Sequence, residues 1–394
     1  MATVIRKTGT DVLDEVRKLI PRLRENAPVG EQNRWIPEEN IKLLKDAGVW
    51  SMAVPQRFGG LDLPLADQVD ILAEIASGDG STGWVASLWS ANTWIAQLYP
   101  DEAQAEIFDG GSVRVSGAFS PTGTLTPTEG GYLLNGSWKW NTGCRGAKFD
   151  GVAARLGQSD GDTPEIYYAM ATLADLSIAD DWHASAASAT GSSMTTADNV
   201  FIPAHRVVKL SEALTGTTGS RSNTGATGRN YAFFAYILVQ SVGAFIGMAR
   251  GAYDLFLRRL PGRGITYTPW TEQSQSPVTH IQVATAANKI AAAEALSRRS
   301  IETLQEYADA GELPPVEVRA ALRGQSGYAA ELCREAVEVL YQASGASVIM
   351  KDVPFQRFYR DIHGLSQHAA MALNSNLEVH GRVLVGLDPA TPFL

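Results

Sequence analysis

Apolar residues recur at helical spacing through the first third of the chain. Pro37-Glu38-Glu39 opens one helix, since proline suits the first turn and acids suit its positive end. Ile41, Leu43, Leu44 and Ala47 form its apolar face, and Gly48 stops it. The pattern returns over Leu65–Ala76, with Val69, Leu72 and Ile75, and over Thr82–Leu98, with Trp84, Leu88 and Trp94.

Near Gly110 the period changes. Val113, Val115 and Ala118 alternate with small polar residues over Ser112–Phe119. Turn signals follow at Ser120-Pro121-Thr122-Gly123, Gly130-Gly131 and Asn135-Gly136. Further strand-like runs are Tyr132–Leu134, Trp138–Trp140, Val152–Leu156, Ile166–Ala171 and Asn199–Ile202. Short strands punctuated by glycine predict a small β-barrel or sandwich over 112–210.

Residues 211–229 are rich in Gly, Ser and Thr and read as a mobile loop. Helical patterning then resumes over 230–260, 277–310, 315–348 and 366–385, which predicts an antiparallel four-helix bundle. Tyr231–Ala249 is long and apolar enough to span a bilayer. Gln240 and Ser241 interrupt it, and Arg250, Asp254, Arg258 and Arg259 continue its helical pattern, so a buried bundle helix is the expectation. The fold class predicted is α+β and multidomain: a helical domain (1–111), a β domain (112–210), the loop, and a four-helix bundle (230–394).

Composition narrows the function classes. Among 394 residues, 33 are Lys or Arg and 42 are Asp or Glu, giving a formal charge of −9. With no long basic run, neither nucleic acid nor an anionic membrane is expected as a partner. Cys144 and Cys333 form no CxxC pair, which predicts neither a disulfide framework nor a thiolate metal site. No metal is expected. Met1–Ile20 lacks the apolar core of a signal peptide, so a cytoplasmic location is the expectation. No P-loop, HExxH, GxSxG elbow or dinucleotide glycine fingerprint occurs in the right context.

Four segments, in order, resemble the acyl-CoA dehydrogenase fold. They are Val54–Gly60 (VPQRFGG), Gly131–Trp140 (GYLLNGSWKW), Thr190-Gly191-Ser192 with Val200–Pro203, and Gln356–Asp361 (QRFYRD). In the common dehydrogenase branches a glutamate base follows the last aspartate by about eight residues. Here that stretch reads Asp361-Ile-His-Gly-Leu-Ser-Gln-His368, with a histidine and no acid. With Gly83-Trp84 and the small-residue turn Ala343–Ala346, the chain is similar to the group D, two-component flavin-dependent monooxygenases built on this fold. Such enzymes take reduced FAD or FMN from a separate flavin reductase, form a C4a-hydroperoxide with O2, and pass one oxygen atom to the substrate. The resemblance implies hydroxylation of an aromatic, phenol- or indole-type compound by a cytoplasmic homotetramer. An amino-sugar N-oxygenase, an acyl-CoA dehydrogenase with a displaced base, and a non-enzymatic scaffold are the alternatives.

The resemblance also assigns residues. His368 is the pocket acid–base, because imidazole handles protons near neutral pH. His363, five residues earlier, is expected to be structural. Thr142 lies at the flavin N5 position, where a hydroxyl both donates and accepts; Asn141 is its alternative. Phe119, Ser120 and Thr122 run along the flavin pyrimidine. Trp140 and Ser192 contact the ring, and Arg263 and Arg360 offer forks for a flavin phosphate. Trp84 and Asn92, eight apart on one helical face, line the substrate pocket with His368. Relatives carry a second histidine where Asn92 stands, so Asn92 is expected to orient a neutral polar group.

Overall fold

A computed structural model describes residues 6–157, 165–215 and 229–394. The first layer is helical: α1 (Gly9–Asn33), α2 (Glu38–Ala47), α3 (Leu65–Gly78), α4 (Gly80–Ile95) and α5 (Asp101–Ile107). Thr8 and Asp11 cap α1 reciprocally, and Gly48 closes α2 in the left-handed region. The Asp79 carboxylate accepts the Thr82 N–H at 2.9 Å and so starts α4.

Among the described residues seven strands follow: β1 (Val115–Thr128), β2 (Gly131–Trp138), β3 (Phe149–Leu156), β4 (Ile166–Thr172), β5 (Ser177–Ile178), β6 (Thr195–Pro203) and β7 (Val207–Lys209). They form one mixed sheet in the order β5-β6-β2-β1-β3-β4-β7, with only β1 and β3 parallel. The turn expected at Ser120–Gly123 lies instead inside β1. Its pairing with β3 shifts register between Ala118 and Gly123, so Phe119–Thr122 bulge from the ladder.

The segment expected as a loop over 211–229 begins as helix, α6 (Leu210–Thr215); residues 216–228 lie outside the described residues. The bundle comprises α7 (Phe233–Arg259), α8 (Pro277–Ala310), α9 (Val316–Ala343), α10 (Phe355–Leu365) and α11 (Leu373–Leu384). Among the described residues α7 is the one helix long and apolar enough to cross a membrane, but 94% of its apolar window is buried inside the protein. It is the core helix, packed on α3, α4, α8, α9 and α10. The helix expected over 366–385 is two elements: residues 366–372 make a turn between α10 and α11. His368 therefore stands on a turn, not on a helix face.

Candidate active site

Helix α4 runs between the sheet and the bundle and carries two predicted pocket residues. Trp84 is buried, edge-to-face with Phe245 of α7 at 6.0 Å and with His368 at 5.3 Å between ring centroids. The turn after α10 fixes that imidazole. Its Nδ1 accepts the Ala370 N–H at 3.2 Å, and the His368 carbonyl accepts from Met371 and Ala372. An accepting Nδ1 has no proton, so Nε2 carries it. Burial lowers the His368 pKa to about 4. The ring is a neutral hydrogen-bond donor at pH 7, which narrows the acid–base role expected from the sequence.

Asn92 lies two turns further along α4, about 12 Å by helix rise. It is not against Trp84 or His368 but in a second cluster. Its Oδ1 accepts from the Tyr168 hydroxyl at 3.2 Å and its Nδ2 donates to the Leu88 carbonyl at 2.9 Å. Gly117 permits this approach: a Cβ there would collide with the Asn92 amide and the Tyr168 hydroxyl. Tyr168 stacks on Phe119 at 5.1 Å, and Phe119 meets Phe233 edge-on at 5.6 Å. The bulge in β1 thus turns Phe119 into an aromatic wall. Burial holds the Tyr168 hydroxyl far above its usual pKa, so it stays protonated.

The third group follows β2. Trp140 has φ 58° and is 71% exposed, while Asn141 and Thr142 are buried behind it. The Trp89 indole of α4 donates to the Gly143 carbonyl at 3.1 Å and ties this loop to the helix. Beneath lies the buried Asp150 carboxylate, which accepts from Asn141 Nδ2 (2.7 Å), Ser116 (2.8 Å) and Thr195 (3.0 Å). Burial raises the Asp150 pKa, and these three donors oppose the rise. Asn141 Oδ1, also buried, has no hydrogen-bond partner among the described residues.

Thr142 joins Ser192 through hydroxyl oxygens 2.8 Å apart, and Ser192 joins Thr190 at 2.7 Å. The Thr190 hydroxyl donates to the Ala187 carbonyl at 2.8 Å. Asp361 of α10 accepts the Ala187 N–H at 2.7 Å and the Ser81 hydroxyl at 3.2 Å. Burial, then the neighbouring Asp79 carboxylate, raises the Asp361 pKa to about 7.

The remaining sequence candidates scatter. Ser120 is exposed on the bulge, and the Thr122 hydroxyl donates to the Ser137 carbonyl at 2.7 Å. Arg263, in the loop after α7, donates to the Ser344 carbonyl at 2.7 Å. Arg360 is drawn to Glu31 of α1 at 2.6 Å, to Gln356 and to the Ser185 carbonyl, where it ties the bundle to the first layer. His363 donates and accepts among Tyr359, Arg334 and Glu338, a structural position. Asp150, Tyr168 and Thr190 were not found from the sequence. Asp150 had a signal: it is the one acid in the apolar strand Phe149–Leu156, which argues for buried partners.

Two family models match the chain: the acyl-CoA dehydrogenase N-terminal domain over residues 7–108 and C-terminal domain over residues 239–373. The oxygenase subunit HsaA of a flavin-dependent monooxygenase from Rhodococcus jostii is 30% identical, covering 89% of this chain and 92% of that protein. The oxygenase component of p-hydroxyphenylacetate 3-hydroxylase from Acinetobacter baumannii is 28% identical, covering 97% and 90%. Among solved structures, XiaF from Streptomyces sp. in complex with FADH2 and glycerol superposes with a TM-score of 0.91 at 26% identity, covering 98% of each chain.

The residues present fit a flavin. A flat, exposed indole at Trp140 stands beside a buried hydroxyl at Thr142, which suits a ring with apolar faces and a polar edge. The stretch where a dehydrogenase base belongs, 366–372, holds His368 and no carboxylate. The chain belongs to the acyl-CoA dehydrogenase family and is a flavin-dependent monooxygenase, an oxygenase component of the two-component kind.

Proposed function

We propose that this enzyme hydroxylates a flat phenol- or indole-type substrate between the Trp84–His368 pair and the Phe119–Tyr168 wall. The observation that carries the reading is His368: a half-buried, neutral imidazole whose Nε2–H is left to donate once Ala370 occupies Nδ1. A dehydrogenase needs a base that removes a carbon-bound proton, and this tautomer offers none. When bound, reduced flavin supplies the two electrons that split O2, one oxygen atom going to the substrate and the other to water. Trp140 and Thr142 hold the ring, with Phe119, Ser120 and Thr122 along its edge and Ser192 behind Thr142. His368 donates to the substrate oxygen or to the oxygen being transferred. Trp84, Phe119 and Tyr168 exclude water and present aromatic surface. Asn92, with one amide N–H beyond its bond to Leu88, orients a polar substituent.

Reduced FAD or FMN comes from a separate reductase, and the enzyme works as a cytoplasmic homotetramer. Exposed Val278 and Ile281 on α8 support assembly through the bundle. The test is anaerobic mixing with dithionite-reduced flavin, then O2 with a panel of phenols, indoles, amino sugars and acyl-CoA thioesters. Hydroxylated aromatic product with little free hydrogen peroxide supports the reading. Reduction of bound oxidised flavin by an acyl-CoA, or turnover of amino sugars alone, overturns it.

A further inference from the structure

The three hydroxyls between Thr142 and Ala187 have a direction that the end of the chain dictates. A hydroxyl has one proton and two lone pairs. The Ala187 carbonyl can only accept, and it takes the Thr190 proton at 2.8 Å. It also accepts the Thr190 N–H at 3.1 Å and the Trp182 indole N–H at 3.2 Å, so its position is over-determined. With the Thr190 proton committed, the 2.7 Å contact to Ser192 requires Ser192 to donate. With the Ser192 proton committed, the 2.8 Å contact requires Thr142 to donate. Thr142 is thereby left with lone pairs alone for whatever lies against it.

We infer that this relay is an oxidation-state filter, with Thr190 and Ser192 as the residues that set it. The inference rests on the flavin reading given above. A reduced flavin carries a proton on its central ring nitrogen, N5, and an oxidised flavin carries a lone pair there. An acceptor-only Thr142 bonds the first and repels the second. Were Thr142 free to rotate its proton, it could serve both forms. Selection of the reduced ring thus comes through Thr142 from the two hydroxyls behind it.

Asp361 keeps the filter in place. Ala187 has φ 50°, a left-handed conformation that a non-glycine residue adopts only when held, and the Asp361 carboxylate holds its N–H at 2.7 Å. The same peptide unit that Asp361 tethers belongs to the residue whose carbonyl ends the relay. Thr190 and Ser192 are positioning residues: they act through Thr142.

The test compares affinities for oxidised and dithionite-reduced FAD and FMN, measured anaerobically on the full-length protein, with the two-electron potential of the bound flavin. Thr190→Val and Ser192→Ala each break the relay above Thr142. Both should lower the preference for reduced flavin about tenfold, the weight of one hydrogen bond. A tenfold change in that ratio lowers the potential of the bound flavin by about 30 mV. Thr190→Ser keeps the hydroxyl and should keep both values. Ser192→Ala removes a single oxygen and adds no bulk, so it reports even where Thr190→Val folds poorly. Unchanged ratio and potential in Ser192→Ala, against a wild type that prefers reduced flavin, overturn the filter alone. A wild type that binds neither form overturns the flavin reading and the filter with it.

Discussion

The two sides of the site are built by opposite means. On the sheet side, polar groups bond one another, Asn141 Oδ1 apart: Asp150 gathers Asn141, Ser116 and Thr195, and the hydroxyls of Thr142, Ser192 and Thr190 run in series to a carbonyl. On the helix side, polar groups are few and set in aromatic surroundings: His368 against Trp84, Asn92 against Tyr168. A saturated network fixes where protons point, because each group has its partners assigned. An apolar wall fixes charge state instead, because burial penalises ions. The proposed reaction would use both: a steady ring on one side, and a neutral donor near the substrate on the other.

Removing the hub of the sheet side should cost most. Asp150→Ala removes the shared acceptor of three buried donors, leaving Asn141 Nδ2 only the Thr195 hydroxyl and Ser116 only the Phe149 carbonyl, which costs on the order of 3 kcal/mol. Asp150→Asn keeps one acceptor oxygen and can offer an N–H toward the orphaned Asn141 Oδ1, so it should lose less than half as much. Urea denaturation of the two variants measures the difference. Equal losses would mean the carboxylate charge, not the hydrogen-bond set, holds the Trp140–Thr142 loop.

On the helix side His368→Ala should leave folding and flavin binding nearly intact while uncoupling the reaction. Loss of one preorganised donor costs about 10²-fold in oxygen transfer. Hydrogen peroxide should replace product in the same proportion. His368→Gln, which can restore an N–H donor, should recover part of the coupling. A donor role predicts no loss of activity between pH 8 and pH 6 from this residue, since its pKa lies near 4. An activity profile that follows a group of pKa near 6.5 and disappears in His368→Gln would restore the acid–base assignment.

Two groups at the end of α10 also pull stability in opposite directions with pH. Asp361 has its pKa raised from 3.8 to about 7, so the folded chain holds a proton that the unfolded chain has lost over that window. Its contribution to stability therefore falls as pH rises from about 4 to 7. His368 has its pKa lowered from 6.5 to about 4, so the unfolded chain binds the extra proton, and stability rises over pH 4 to 6.5. Asp361→Asn removes the first slope while keeping an acceptor for the Ala187 N–H. Its melting temperature relative to wild type should climb from pH 5 to pH 8, as wild type alone must bury a charge beside Asp79. A difference that stays flat across that range would show that Asp361 is ionised throughout.

The sequence revealed the helix side better than the sheet side, for a physical reason. A core helix declares itself by an unbroken apolar run, and α7 and the Trp84 face of α4 were read from spacing alone. The turn at 366–372 is not legible because Ser-Gln-His-Ala-Ala-Met-Ala has good helix formers; the Asn376 amide, held by Arg323 of α9 at 2.9 Å, donates to the Ala370 carbonyl at 2.9 Å and fixes the turn. The β1 bulge was misread because Pro121 and Gly123 mark turns and bulges alike. Thr190 was passed over as part of a Thr-Gly-Ser motif, since a hydroxyl relay depends on register between segments about 50 residues apart, and no local pattern encodes that.

The smallest effect expected is at Asn92, and it separates two views of the helix side. If the wall is only apolar surface, Asn92 is there to satisfy Tyr168, and its loss is a matter of packing. If Asn92 also meets the substrate, its remaining amide N–H has a chemical task. In the second view Asn92→Ala removes one neutral hydrogen bond, so KM for an aromatic substrate should rise about tenfold. The turnover number should stay within about threefold, because an amide gains no proton near pH 7 and takes no part in proton transfer. Asn92→Asp sharpens the distinction. It still accepts from the Tyr168 hydroxyl at the same place but has no N–H to offer and adds a buried charge. Its KM should rise at least as far as that of Asn92→Ala, although the bond to Tyr168 survives. Should Asn92→Asp match wild type in KM, Asn92 serves Tyr168 alone, and the substrate's polar group is oriented from the His368 end of the pocket.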